Sequence, residues 1–186
     1  MASFTFITSN DLKVLAARAV CEPRGVSFDR LSLDFVEIQA DSGEAIAADK
    51  ALQAYAHLKA PVVITDDSWI IPGLGGFPGP YMKYIDQYFT VDDYLRLCAE
   101  LSDRTIILRQ YIVYRDAQGE QAFVRDRVGV LLKAPRGEAE ISHLRITSFD
   151  GGEHSVAEQV AGGISAMGGL ATTWNDFCDW LTQRKV

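Results

Sequence analysis

The sequence predicts an α/β fold in which one mixed β-sheet is flanked by helices. Early in the chain, short apolar runs typical of buried strands alternate with segments whose apolar residues recur at helical spacing. Later, two long strand-like segments follow each other and are separated by a turn signal. Strands that alternate with helices and strands that pair in sequence are expected here to share one sheet.

The first third of the chain supplies three strands and two helices. Ser9 or Asn10 can cap the first helix, which carries an apolar stripe. The second helix is rich in alanine and has good intrinsic helix propensity. We expect the strands at 4–8, 26–35 and 61–65, and the helices at 11–22 and 44–59.

The remaining chain is expected to contain three more strands and three helices. Thr90 and Asp93 have the spacing of a capping box, and Gly119 in "RDAQGE" can take the positive φ of a hairpin turn. The last helix should begin near Thr172 or Thr173. The other expected helices are 80–89 and 91–101, and the strands are 104–115, 121–133 and about 138–148.

Length and composition predict one globular domain over residues 1–186. The chain is 48% hydrophobic and 23% charged, and it has no apolar run near the roughly 20 residues of a membrane helix. The N-terminus lacks the features of a signal peptide. Cys21, Cys98 and Cys178 form no CxxC pair. We therefore expect a cytoplasmic protein with reduced thiols packed in its core and no contact with membranes.

Charge narrows the classes of ligand. The net charge of −7 and the absence of Lys/Arg runs disfavour a nucleic-acid partner. His57, His143 and His154 do not have zinc-ligand spacing. An anionic small molecule still fits if lysines and a metal gather in one cleft. Carboxylates would have to hold that metal, which points to magnesium or manganese.

Asp66 and Asp67 follow a buried strand and begin the most informative stretch of the sequence. Ligands bind beyond the carboxyl ends of strands in open α/β sheets, and adjacent side chains point to opposite sides. The alternative is a capped turn beside a solvated acid. The next segment, "PGLGGFPGPY", is either a rigid corner or a ligand-shaping loop, and Lys83 comes just after it.

Two further segments offer groups that suit a polyphosphate. In "TSNDLK" (8–13), a strand-to-helix junction can present backbone N–H groups to phosphate, and Lys13 adds a positive charge, although the P-loop glycines are missing. Glu37 ends the second predicted strand, and Lys50 lies on the next helix. Glu37 with Asp66 or Asp67 would supply carboxylates for a magnesium ion that bridges phosphates.

Taken in order, these segments resemble the inosine triphosphate pyrophosphatase (XTP/dITP diphosphatase, Ham1-like) family. "TSNDLK" is similar to the family's T-G-N-x-x-K, and "TDDSWIIPGLGGFPGPYMKY" contains its acid pair, glycine–proline segment and lysine. The resemblance covers residues 4 to about 137. It implies an elongated α/β fold with two lobes around a central cleft, usually a homodimer, which hydrolyses nucleoside triphosphates to monophosphates and pyrophosphate.

The resemblance also implies a role for each matching residue. Glu37 and Asp67 would bind Mg²⁺, with Mn²⁺ as the alternative. Asp66 or Asp67 would orient and deprotonate the attacking water, so Glu37, Asp66 and Asp67 form the catalytic set. The implied substrate contacts are Thr8, Asn10, Lys13, Lys50, Ser68 and Lys83.

The C-terminal third departs from the family. Ile164 stands at the position of a base-side lysine, and Gly168, Gly169 and Leu170 replace Ser-His-Arg. The family's aromatic-Asp-Pro segment is also missing. We therefore expect an altered base preference, with the base site rebuilt from Phe149, His143, Arg145 or the loop "AGGISAMGG". The alternative is a non-catalytic protein that binds or senses nucleotides.

Overall fold

A computed structural model describes residues 3–162 and 171–184 of the chain. Its strands are Ser3–Ile7 (β1), Ser27–Leu31 (β2), Val62–Ile70 (β3), Pro78–Gly79 (β4), Thr105–Asp116 (β5), Gly119–Leu131 (β6) and Thr147–Ser148 (β7). Its α-helices are Asp11–Cys21 (α1), Gly43–Leu58 (α2), Met82–Ile85 (α3), Val91–Leu97 (α4), Val156–Ala161 (α5) and Ala171–Gln183 (α6). Three 3₁₀ turns lie at Glu22–Arg24, Pro72–Leu74 and Ser142–Arg145.

The described strands form one mixed sheet with the order β2-β1-β3-β5-β6-β7, and β4 pairs with β3. β1 runs parallel to β2 and β3, whereas β4 and β7 are antiparallel to their partners. The mixed α/β class predicted from the sequence is therefore confirmed. The hairpin prediction is also right. The strands β5 and β6 are neighbours in the sheet, β5 ends at Asp116, and β6 begins at Gly119, whose φ is 140°.

The chain divides into two compact units. The first contains residues 1–67, 110–125 and 170–186, and the second contains residues 68–109 and 126–169. The long strands β3, β5 and β6 contribute residues to both units.

Alternation along its strands gives the first unit two apolar clusters. Phe4, Phe6 and Val63 pack with residues of α1 and α6, among them Val14 and Phe177. The strand residues of opposite parity, Ile7, Val62 and Ile64, pack instead with Ala47, Ala51 and Ala54 of α2. Because strand side chains alternate between the two faces of a sheet, one short apolar strand packs against α1 and α6 on one face and against α2 on the other. Cys21 and Cys178 are fully buried in the first cluster.

The second unit has a core of its own. Ile71, Tyr94, Ile106 and Ile146 are buried there together with Cys98 of the loop after α4. The Thr90–Asp93 capping box opens α4 as predicted, because the Thr90 hydroxyl accepts from the Asp93 N–H and the Asp93 carboxylate accepts from the Thr90 N–H. Within the described residues, no helix has the length and apolar character needed to cross a membrane.

Five sequence predictions about elements were wrong. The helices predicted at 80–89 and 91–101 are shorter, and the structure has Met82–Ile85 and Val91–Leu97 in their place.

The other three wrong predictions concern strands. The strand predicted at 138–148 is a 3₁₀ turn followed by the two residues of β7, since the His143 carbonyl accepts local bonds from Ile146 and Thr147 in place of a ladder. The strand predicted at 26–35 ends at Leu31. The strand predicted at 61–65 continues to Ile70, so Asp66 and Asp67 lie within β3 and not at its end.

Candidate active site

The N-terminus of α1 is capped by its own sequence. The Asn10 side-chain oxygen accepts from the N–H groups of Leu12 (2.9 Å) and Lys13 (3.2 Å), and Thr8 Oγ1 accepts from the Asn10 N–H (3.1 Å). Of the two caps the sequence allowed, Asn10 is the one used. Its oxygen is therefore committed to the helix, which leaves the amide nitrogen of its side chain as the group that can donate to a ligand.

Lys13 reaches from the first turn of α1 to β3. Its ammonium group lies 2.8 Å from Asp67 Oδ2, and about a quarter of each side chain is exposed. The prediction placed Lys13 and the acid pair in one site, and the geometry of the first unit brings Lys13 and Asp67 together.

Asp66 and Asp67 lie within β3, yet they extend past the neighbouring strand. Phe6 of β1 is level with Val63, so the last residue of β1, Ile7, is level with Ile64. Asp66 and Asp67 are then two and three residues beyond the end of β1. The expectation that they sit at the carboxyl edge of the parallel strands is right for this neighbour, although the strand that carries them is longer than predicted.

Glu37 owes its position to an alternation that continues after β2 has ended. Leu31, Leu33 and Phe35 pack against the cluster that contains the alanines of α2, and Glu37 is the next residue of the same parity. Gln53 of α2 ties down this stretch, since its amide donates to the Val36 carbonyl at 2.9 Å. The chain after Leu31 thus behaves as an unpaired extended segment that turns Glu37 towards α2.

Lys50 of α2 joins Glu37 to Asp66. Its ammonium group forms ion pairs with the Glu37 carboxylate and with Asp66 Oδ2, the latter at 2.9 Å, and its side chain is only 17% exposed. Burial lowers the pKa of Lys50, but the carboxylates of Asp66 and Glu37 raise it by more, so the pKa lies above its ordinary value of 10.5. Lys50 is therefore a fixed positive charge at neutral pH.

The acids and lysines of the first-unit site form two groups of ion pairs, Lys13 with Asp67 and Lys50 with Glu37 and Asp66. Glu37 and Asp66 both contact one cationic atom, so their oxygens are close enough to share a small cation. Oxygen donors of this kind suit Mg²⁺ or Mn²⁺ and are poor for softer metals. The donor set fits the metal that the sequence predicted.

Within the described part of the chain, another cluster of three side chains has its potential metal ligands closer together. Asp150, Glu153 and His154 offer ligand atoms within 4.8 Å of one another, which the three acids of the first unit do not. Hydrogen bonds, above all from the His154 N–H, hold the pKa of Asp150 well below its usual range. Since both oxygens of Asp150 already accept bonds from Ser148, His154 and Gln159, this group is explained as a turn.

The second unit contains the other predicted substrate contacts. Ser68 is 3% exposed, and its hydroxyl has no hydrogen-bond partner among the described residues. Lys83 is exposed on α3. Between them, the glycine–proline segment folds back on itself and adds β4 to β3, with Trp69 opposite Gly79. The segment is therefore a compact corner, and the ligand-shaping role that the sequence favours for it stays a prediction.

The residues predicted to rebuild a base site are already engaged in the second unit. His143 Nδ1 donates to Asp86 Oδ1 (2.8 Å), and the imidazole packs edge-on against Trp69 at a centroid distance of 4.5 Å. Arg145 donates to the Gly137 carbonyl at 2.9 Å. The loop residues 163–170, which include Ile164, Gly168, Gly169 and Leu170, lie outside the described residues.

Phe149 has neighbours that the sequence did not reveal. The Arg127 guanidinium lies over its ring, 4.2 Å from the centroid, and Trp69 is 6.0 Å away at a tilt. Burial lowers the pKa of Arg127. The ring quadrupole attracts a cation at this distance, so the Arg127 guanidinium occupies one face of Phe149. No motif marks Arg127, and its parity on β6 was the only signal available.

The chain is similar to known proteins over most of its length. The model of the Ham1 family matches residues 4–158. A dITP/XTP pyrophosphatase of Hyperthermus butylicus is 26% identical over 176 residues, which are 95% of this chain and 93% of that protein. A dITP/XTP pyrophosphatase of Methanopyrus kandleri is 30% identical over 154 residues, 82% of each chain.

A solved structure shares the fold at low sequence identity. The HAM1 protein from Coxiella burnetii superposes with a TM-score of 0.80 at 18% identity, and the match covers 99% of this chain and 100% of that one. The family match takes in all the acids and lysines of the first-unit site, from Lys13 to Asp67. The chain therefore belongs to the Ham1 family.

Proposed function

We propose that the protein hydrolyses a nucleoside triphosphate to the monophosphate and pyrophosphate with the help of a divalent cation. The relatives compared above are named as pyrophosphatases of nucleoside triphosphates, and this chain belongs to their family. One observation carries the proposal: Lys13, in the first turn of the capped helix α1, and Lys50 of α2 are each held on carboxylates.

The proposed metal ligands are Glu37 and Asp67. When bound, Mg²⁺ or Mn²⁺ would neutralise phosphate charge and polarise the phosphoryl oxygens. Both carboxylates hold a lysine in this structure. A metal bound by them would compete with Lys13 and Lys50 for the same oxygens, and the two ammonium groups would become available to the phosphates.

The chain's own groups then bind and orient the substrate. Lys13 and Lys50 neutralise the polyphosphate, and the Asn10 amide and the Thr8 side chain contact it at the start of α1. Hydrolysis at the α-phosphorus depends mainly on positioning and on charge neutralisation, which these groups supply. Ser68, Lys83 and Phe149 stay predicted substrate contacts, and a base preference altered by the C-terminal departures is part of the proposal.

The contacts of the two aspartates favour Asp67 as the base. Asp66 uses both oxygens internally, since Oδ1 accepts from the Asp67 N–H (2.8 Å) and Oδ2 binds Lys50. Among the described contacts, Asp67 uses only Oδ2, in its ion pair with Lys13. A free oxygen is what a carboxylate needs to accept a proton from the attacking water.

A pyrophosphate-release assay tests the proposal. Purified protein is incubated with a panel of natural and deaminated nucleoside triphosphates, with magnesium or manganese, and pyrophosphate and orthophosphate are measured separately. We expect pyrophosphate from at least one nucleotide. In Asp67→Asn, kcat should fall by roughly 10²–10⁴-fold, the usual contribution of a general base.

Asp66→Asn is the comparison variant, because it removes a charge from the same strand but leaves the free carboxylate oxygen of Asp67 in place. It should retain more activity than Asp67→Asn, and the reverse order would assign the base to Asp66. If no nucleotide releases pyrophosphate while nucleotides still raise the melting temperature, the protein is the non-catalytic binder considered above.

A further inference from the structure

Arg30 of β2 makes three contacts with the loop that leads into α1. Its Nε donates to the Thr8 carbonyl (3.1 Å), its Nη2 donates to the Ser9 carbonyl (2.6 Å), and its Nη1 binds Asp11 Oδ1 (2.6 Å). All these residues belong to the first unit. One guanidinium fork therefore holds the whole junction from Thr8 to Asp11.

This clamp fixes the direction of two peptide groups. The C=O and N–H of a trans peptide point in opposite directions, so turning the Thr8 and Ser9 carbonyls towards Arg30 turns the N–H groups of Ser9 and Asn10 away from it. The Asn10 N–H then meets Thr8 Oγ1. The Thr8 N–H donates to the Leu31 carbonyl at 3.0 Å. The backbone of β2 therefore holds this loop in addition to the Arg30 side chain.

The contact with Asp11 has an electrostatic consequence as well. Asp11 lies in the first turn of α1, and its side chain is 82% exposed. A carboxylate there stabilises the helix but repels a phosphate that approaches the same helix end. Arg30 neutralises this charge while leaving Lys13, two residues further along the same turn, to its pair with Asp67.

We propose that Arg30 is a positioning residue for phosphate binding, which holds the Thr8–Asp11 loop so that Asn10 and Lys13 are presented to a polyphosphate. The proposal rests on the function proposed above for its substrate. The hydrogen bonds to the two carbonyls are the part of the clamp that positions the loop, and the pairing with Asp11 is secondary. Only an arginine supplies this fork, because lysine offers a single point of charge.

The test uses Arg30→Ala and Arg30→Lys in the full chain. Arg125→Ala is the control, since Arg125 also presents a fork, at 2.5 and 3.0 Å, to the exposed carboxylate of Asp176 in the same unit. For both Arg30 variants we expect KM for the best nucleotide to rise roughly tenfold to a hundredfold, as for lost hydrogen bonds to a charged group, with kcat nearly unchanged. The control should keep its KM.

Two further measurements separate positioning from a general loss of structure or charge. Millimolar guanidinium, compared with equal potassium chloride, should partly restore KM in Arg30→Ala but not alter the control. Adding Asp11→Asn to Arg30→Ala should leave KM high. Full recovery in the double variant would reduce Arg30 to a neutraliser of Asp11 and overturn the proposal, as would a KM unchanged in both single variants.

Calorimetry with inorganic tripolyphosphate and magnesium gives a readout that does not need turnover. Its affinity should fall in both Arg30 variants by the same factor as KM rises. If the unaltered chain binds tripolyphosphate more tightly than the Arg30 variants but releases no pyrophosphate, the proposed hydrolysis fails while the positioning role stands. If the protein releases pyrophosphate but both Arg30 variants bind tripolyphosphate as tightly as the unaltered chain, the positioning role alone is rejected. The positioning role is also rejected if the unaltered chain does not bind tripolyphosphate.

Discussion

At the scale of single residues, the site is a set of acids whose repulsion is offset by lysines from two helices. Lys50 shows this most clearly, because one ammonium group satisfies Glu37 and Asp66 together. The sequence could indicate that these residues share a site, since each follows a strand or lies on the next helix. It could not indicate which acid pairs with which lysine, because that depends on side-chain parity and on an unpaired segment after Leu31.

Lys50 gives a prediction about stability and pH. Its pKa in the folded chain lies above the ordinary 10.5, so its stabilising effect is complete below that pH and is lost as the pH rises through the folded-state value. Lys50→Met should lower the free energy of unfolding by about 1–3 kcal/mol at pH 8, between the costs for exposed and buried ion pairs. The difference from the unaltered protein should shrink above about pH 10.5.

Urea unfolding at pH 8, 9, 10 and 11 measures this difference in the metal-free protein. All titratable groups other than Lys50 are the same in the two proteins, so the comparison isolates the contribution of Lys50. Lys133→Met, at an exposed lysine of the second unit, is the control and should stay close to the unaltered protein at every pH. A Lys50→Met difference that is absent at pH 8, or that stays constant to pH 11, would contradict the assigned role.

At the scale of elements, sequence patterns predicted the starts of helices better than the ends of helices or strands. The caps at Asn10 and Thr90 follow from residues within three positions of each other, so local chemistry sets them. The end of β2 and the length of β3 depend instead on whether a neighbouring strand continues. Local turn bonds around His143 likewise replaced a strand that alternation alone had predicted.

The glycine–proline corner gives a prediction at this scale. A Cβ on Gly73 would lie 2.9 Å from Leu101 Cδ2 and 3.0 Å from the Asp103 carbonyl oxygen, so the corner packs too closely against the loop after α4 for any side chain. We expect Gly73→Ala to cost about 1–3 kcal/mol, the usual effect of overpacking. Urea unfolding at neutral pH measures the loss.

Gly25→Ala is a matched comparison for this substitution. Gly25 has φ of +69° and nothing within 4 Å of an added Cβ, so its replacement costs only backbone strain, about 1–2 kcal/mol. Gly73→Ala should therefore be the more destabilising of the two. Equal stability of Gly73→Ala and the unaltered protein would show that the corner has room, and would weaken the packing argument for its glycine.

At the scale of the whole molecule, the chain carries a net charge of −7, yet its proposed ligand is a polyanion. Two ammonium groups face three carboxylates in the first-unit site, so nucleotide binding needs added positive charge there. The sequence predicted this excess of carboxylates over ammonium groups, because the excess depends on residue types and not on exact positions. The altered base preference expected from the departures in the C-terminal third stays a prediction, and part of that segment lies outside the described residues. The homodimer implied by the family stays a prediction.

This charge balance predicts that nucleotide and metal stabilise the protein only together. With a non-hydrolysable nucleoside triphosphate analogue at about 100 times its Kd, magnesium should add about 2.7 kcal/mol to the free energy of unfolding, which raises Tm by roughly 5–10 °C for a chain of this size. Either ligand alone should give a small shift, and a chelator should reverse the combined one. Asp67→Asn should lose the combined effect, whereas Asp179→Asn, at an exposed acid of α6, should keep it. A full shift by nucleotide in the presence of chelator would show that Lys13 and Lys50 bind the phosphates without a metal, and the carboxylates would then need another explanation.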